Sequence, residues 1–188
     1  MNKRRLTILL VFLFASAFSL SQIYANGMSL PKAGYLPKIF FKDSASIEAM
    51  KYLGLSRKKN FSLDDMHGSL FVIEVFNTYC TTCPRNVPVL NDVYAAVEKN
   101  AEEKRTIKVF GIAIGNTEKE AVDYKTRHNV LFPVLTDYDF SIHSTLGNPR
   151  VPYTLYLKKT AKGYLVVDTH QGVLDSAVAF LEKVRMLN

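Results

Sequence analysis

The chain has 188 residues, 48% of them hydrophobic, with a formal net charge of +7 at pH 7. That length and apolar content suit one compact domain behind a short leader. The charge is a mild excess of Lys and Arg spread along the chain, and it excludes the basic block that a nucleic-acid-binding protein carries.

At the N-terminus, Lys3, Arg4 and Arg5 precede an uncharged apolar run from Leu6 to Leu20, and Ala25 offers a small residue before Asn26. This is the three-part layout of a secretory signal, residues 1–25. The run is short for a membrane span, which needs ~20 residues. The alternative is an uncleaved N-terminal anchor, since uncharged sequence continues to Tyr24. Removing the leader leaves 21 basic residues against 17 acidic, a net charge of +4.

Residues 26–60 read as an irregular N-terminal arm. Pro31, Gly34 and Pro37 interrupt it, and the basic run Arg57-Lys58-Lys59 closes it. An amphipathic stretch predicts one helix near Ala45–Leu53. Residues 61–188 then form the domain. Leu70–Phe76 is apolar on both faces except at Glu74, which predicts a central strand of a covered sheet. Val87, Leu90, Val93, Tyr94 and Val97 recur at helical spacing, so a helix is expected from the cysteine pair to Glu103. Pro84 suits its first turn and Pro88 is expected to kink it.

Thr106–Ile114 predicts a second buried strand, and Thr117–His128 a helix with Thr117 as N-cap. A short strand at Phe132–Leu135 and a helical turn or two at Ser141–Leu146 follow. Tyr153–Lys158 and Tyr164–Thr169 read as a hairpin turning through Lys159–Gly163. A closing helix over Val173–Leu187 is built on Leu174, Ala177, Val178, Leu181 and Val184. The order implies an α/β fold, a mixed sheet with helices on both faces.

Only two cysteines are present, Cys80 and Cys83. Closing so short a loop removes little unfolded-chain entropy, so the pair needs a purpose other than stability. Cys80 falls where a strand ends and a helix begins. Unpaired backbone N–H groups and the positive dipole end there lower a thiol's pKa. The N-terminal sulfur is then the nucleophile and Cys83, one turn in, the resolving thiol. A lone C-x-x-C also fits half a zinc site or haem attachment. Zinc needs four ligands, and His67, His128, His143 and His170 show no ligand-pair spacing. Haem attachment needs His where Pro84 stands. Redox use fits the strand–helix context best.

The stretch Phe61–Gly68, the strand 70–76, Tyr79-Cys80-Thr81-Thr82-Cys83, Pro88 and Val151–Tyr156 together resemble the thioredoxin superfamily, and its TlpA/ResA-like extracytoplasmic branch in particular. The resemblance implies a thioredoxin fold, three layers α/β/α around a mixed sheet, with an inserted β-α segment at Gly111–Leu135. It implies that Pro152 is the cis-proline and that the backbone of Val151 pairs with a substrate chain. It assigns Glu74, six residues before Cys80, to the buried acid that moves the proton of the inner cysteine. Burial raises a carboxyl's pKa and suits it to that work. Tyr79 and Tyr153 are expected to flank the sulfurs, and Arg150 to approach Cys80.

The sequence departs from the branch at two places. Tyr79 stands where Trp is usual, and Asn86 where the branch often has Glu. The function implied is an extracytoplasmic thiol–disulfide oxidoreductase, a reductase acting on protein thiols and disulfides of the periplasm. It would draw on a membrane electron donor and use no cofactor, metal or nucleic acid. Alternatives are a dithiol oxidase or isomerase on the same scaffold, or a copper-binding chaperone using Cys80, Cys83 and His143. Segment 107–136 also resembles peroxiredoxins. Those carry Thr three residues and Pro seven residues before the reactive cysteine, where this chain has Asn77 and Ile73.

Overall fold

The structure, a computed structural model, describes residues 34–42, 45–56 and 59–188. The expected leader, residues 1–25, lies outside the described residues, as do Arg57 and Lys58. The elements begin with β1 (Gly34–Tyr35), β2 (Phe40–Phe41), α1 (Ile47–Leu53), β3 (Phe61–Ser62) and β4 (Leu70–Phe76). After a 3-10 turn at Cys83–Asn86 come α2 (Val87–Lys99), α3 (Ala101–Thr106), β5 (Ile107–Ile114), α4 (Glu118–His128) and β6 (Val134–Asp137). The chain closes with α5 (Ser141–Thr145), β7 (Tyr153–Thr160), β8 (Gly163–Gln171) and α6 (Ala177–Leu187).

Six strands form one mixed sheet in the order β1-β8-β7-β4-β5-β6. β4, β5 and β6 are parallel, whereas β7 pairs antiparallel with both β4 and β8. Every residue of β4 and β5 is buried, as strands covered on both faces must be. Alternation along β4 divides the core. Phe71, Ile73 and Val75 face one layer, which holds Ala49 and Leu53 of α1 and Ile142 of α5. Leu70, Val72 and Phe76 face the other, with Val87, Leu90 and Val93 of α2, Tyr124 of α4, Phe180 of α6 and Cys83. This is the three-layer α/β/α arrangement, and the inserted segment supplies α4 and the edge strand β6.

The segment read as a loose arm is packed down over its described residues. Leu36, Ile39, Phe41, Ala45, Ala49, Leu53 and Leu55 are all buried, and β1 extends the sheet by pairing with β8. Helix α1 carries a Ser46 cap and ends on Gly54 at φ 72. A Cβ at Gly54 would stand 2.3 Å from His67 Nδ1, so only glycine fits there.

Several boundaries differ from expectation for local reasons. The first turn after the cysteines is 3-10, because Pro88 has no N–H to donate to Pro84 and the Val87 N–H takes that carbonyl instead. Pro88 therefore opens α2 rather than kinking it. The expected single helix to Glu103 stops at Lys99. Asn100 is extended (φ −99, ψ 115), and its side chain caps α3 through the N–H groups of Glu102 and Glu103. β6 starts at Val134, not Phe132, since Pro133 cannot donate to the ladder. α6 starts at Ala177, capped by Ser176, and packs with Phe180 and Val184 buried while Val178 is 69% exposed.

Candidate functional site

β4 runs out at Phe76 into the loop that carries the cysteines. The loop is fastened to β5 and the residues after it. Asn77 Nδ2 donates to the Ile114 carbonyl at 2.7 Å, and its Oδ1 accepts the Tyr79 N–H at 2.8 Å. Thr78 and the buried Asn116 exchange two hydrogen bonds, at 3.0 and 2.7 Å. These side chains stand in for the ladder that the loop has left. The Tyr79 hydroxyl donates to Glu120 of α4, which also closes the capping box with Thr117. Those hydrogen bonds hold the Glu120 carboxyl down at about 2.

Cys80 and Cys83 are joined in a disulfide. The two sulfurs are not equivalent: Cys80 is half-buried, whereas Cys83 is 2% exposed against α2 and the sheet. The Cys83 N–H points at Cys80 Sγ at 3.1 Å, as it would at a capping oxygen, and the Thr82 hydroxyl lies 3.4 Å from the same sulfur. Both groups remain available to a thiolate once the bond opens.

Glu74, 3% exposed, alternates with Leu70, Val72 and Phe76 and so lies on the face of β4 toward the Cys83 layer. Its Oε1 accepts from Asn86 Nδ2 at 2.8 Å and its Oε2 from Thr154 Oγ1 at 2.7 Å. Thr154 is its direct neighbour across the β4–β7 ladder. Burial pushes the carboxyl up from 4.5 to about 7, against the two hydrogen bonds that lower it. Asn86 is wholly buried. Its Nδ2 also reaches the Gly172 carbonyl at 3.2 Å, and its Oδ1 accepts the Leu174 N–H at 2.8 Å.

The Val151–Pro152 peptide is cis. The register that sets Val75 opposite Tyr153 brings Pro152 to the end of β4 where the cysteine loop departs. Val151 is half-buried and packs against the Cys83 layer. Tyr79 is 75% exposed and Arg150 is exposed. Tyr153, expected beside the sulfurs, is a core residue instead: it is 1% exposed and points into the α1–α5 layer. Strand alternation dictates this, because its neighbour Thr154 faces Glu74. His143 is engaged with the Pro149 carbonyl at 2.9 Å. Among the described residues no three His, Cys, Asp or Glu side chains converge as metal ligands would.

The sequence signals Thr154 only as a polar residue at an inward position of an apolar strand, and it carries no signal for the fastening roles of Asn77 and Asn116.

Comparison with known proteins agrees with this architecture. A thiol-disulfide oxidoreductase ResA of Geobacillus thermodenitrificans is 21% identical over 100 residues, 53% of this chain and 55% of that protein. A ResA of Halalkalibacterium halodurans is 19% identical over 183 residues, 96% of this chain and 93% of that protein. For the first of these the match spans only about half of the relative's length. The crystal structure of a putative thiol:disulfide interchange protein DsbE from Chlorobium tepidum superposes with a TM-score of 0.62 at 16% identity, over 85% of this chain and 98% of that one. That likeness shows a shared thioredoxin fold. The AhpC/TSA family matches residues 47–175, more than half of the sequence, and the chain belongs to that family.

Proposed function

We propose that this chain is an extracytoplasmic thiol–disulfide oxidoreductase that reduces disulfides of exported proteins. The observation that carries the reading is the asymmetry of the Cys80–Cys83 pair, one sulfur accessible and the other buried in the same layer as an acid of raised pKa. In the reduced protein the Cys80 thiolate attacks one sulfur of a client disulfide, and the other client sulfur leaves as a thiolate that takes a proton from water. The Cys83 thiol passes its proton to the Glu74 carboxylate and attacks Cys80 Sγ. The Cys80–Cys83 disulfide forms and the second client thiolate departs, so the client gains two electrons and the pair loses two. Tyr79, Val151 and Arg150 would line the approach of the client chain.

Export rests on the charged and apolar pattern of residues 1–25, and a membrane electron donor would regenerate the dithiol. The family match raises peroxide reduction as a second reading. Against it, the Asn77 side chain is committed to Ile114 and Tyr79 and offers no hydroxyl to a peroxide. A copper-carrying role is not supported by His143, whose ring holds Pro149.

The test is capture by Cys83→Ser. A mixed disulfide on Cys80 is expected to persist and to be released by dithiothreitol. Capture by Cys80→Ser alone would reverse the roles, and capture by neither would remove the reading. A reduction potential well below that of the compartment identifies a reductant, and one well above it an oxidant.

A further inference from the structure

The hydrogen bonds around Glu74 are not symmetric, and the asymmetry decides where its proton sits. Asn86 is 0% exposed, and its amide is oriented by two backbone groups whose roles cannot change. The Leu174 N–H can only donate, so the atom 2.8 Å away is Oδ1. The Gly172 carbonyl can only accept, so the atom facing it is Nδ2. The group meeting Glu74 Oε1 at 2.8 Å is therefore an N–H donor that cannot be turned round. A proton on Oε1 would set two donors face to face inside the core, leaving one unsatisfied.

Oε2 meets a different partner. The Thr154 hydroxyl, also 0% exposed, can rotate and serve as donor or acceptor. When Glu74 is ionised, Thr154 donates to Oε2. When a proton arrives there, the same oxygen can accept it at the same distance without any heavy atom moving.

Resting on the thiol–disulfide reading above, we infer that the proton taken from Cys83 is held on Glu74 Oε2 alone, with Thr154 as the positioning residue that reverses from donor to acceptor and Asn86 as a fixed clamp on Oε1. The other titratable groups facing Glu74 are Tyr124 of α4 and Tyr156 of β7, both kept neutral by burial. Neither is hydrogen-bonded to the carboxyl, so the reversal falls to Thr154. Thr154 lies in β7 two residues after the cis-proline, so the strand that presents Val151 to a client would also hold the acceptor of the proton.

The experiment is a titration of the Glu74 side-chain carboxyl by carbon-13 NMR in the reduced full-length protein. Thr154→Val removes the hydroxyl at constant volume. The midpoint is expected to move up, about tenfold in proton affinity for one lost hydrogen bond to a carboxylate. Thr154→Ser restores it. Asn86→Asp sets a second carboxyl against Oε1, so a two-step titration with the upper midpoint above that of the unchanged chain is expected.

In the unchanged chain the Thr154 hydroxyl proton should be protected from solvent exchange above the Glu74 midpoint and lose protection below it. This measurement stands if Thr154→Val does not fold. An unmoved midpoint in a folded Thr154→Val, or a hydroxyl protected equally on both sides of the transition, would overturn the inference. Failure of the thiol–disulfide reading shows elsewhere, as an absence of client capture by Cys83→Ser, and leaves the carboxyl titration intact.

Discussion

Glu74 is a residue whose sequence context announces its chemistry. A carboxyl at an inward position of an apolar strand must be desolvated, and its pKa rises from 4.5 to about 7. Between those values the folded state holds more protons than the unfolded chain. Glu74's contribution to stability is therefore most favourable below about pH 4.5 and declines as the pH rises through 7, by about 3 kcal/mol in all. Glu74→Gln should remove that slope, since its oxygen can face Asn86 and its amide can face Thr154. Urea unfolding on both sides of the transition tests this: the variant is expected to be the more stable protein above pH 7 and to lack the decline. Under the proposed mechanism the same variant should slow resolution of the mixed disulfide by roughly 100-fold, because a glutamine cannot take the Cys83 proton; quenched-flow trapping reads this. The partners of Glu74 were hidden from the sequence. Asn86 lies 12 residues away and Thr154 lies 80 away, and nothing local couples either to it.

At the scale of elements, periodicity located the long strands and helices of the domain; the bounds of β4 and α4 are as expected, and several other ends are displaced. The misplacements trace to particular residues: Pro88 and Pro133 withhold an N–H, and Asn100 starts a new helix by capping it. The closing helix is the instructive case. The expected inward face included Val178 and omitted Phe180, whereas the helix capped at Ser176 buries Phe180 with Val184 and leaves Val178 exposed. Phe180→Ala is expected to cost about 3–5 kcal/mol, the range for emptying a packed aromatic site. Val178→Ala should stay within about 0.5 kcal/mol, as exposed substitutions do. Comparable losses in chemical denaturation would contradict the burial described. At α4 the capping box between Thr117 and Glu120 was half legible, since the cap residue and its acidic first turn are adjacent. That Glu120 also receives the Tyr79 hydroxyl was not, because 41 residues separate them.

For the whole molecule, the N-terminal segment matters more than its composition suggested. The described residues of 34–55 contribute seven buried apolar side chains and an edge strand to the same core. A chain beginning at Phe61 uncovers the layer that holds Phe71, Ile73 and Phe110, and it should fail to unfold cooperatively. One beginning at Gly34 should retain a single sharp transition; differential scanning calorimetry of the two distinguishes these outcomes. The sequence alone determined the local facts: a covered central strand, a dithiol at a strand–helix junction, an acid inside the strand, and a hairpin followed by an amphipathic helix. Each follows from side-chain period or from backbone chemistry within a few residues. The tertiary structure alone decided which way Tyr153 points, that Asn86 and Thr154 grip opposite oxygens of Glu74, and that the arm is core. Those outcomes depend on the register between strands far apart in the chain and on which backbone groups packing leaves to be satisfied, and neither is written in any local window.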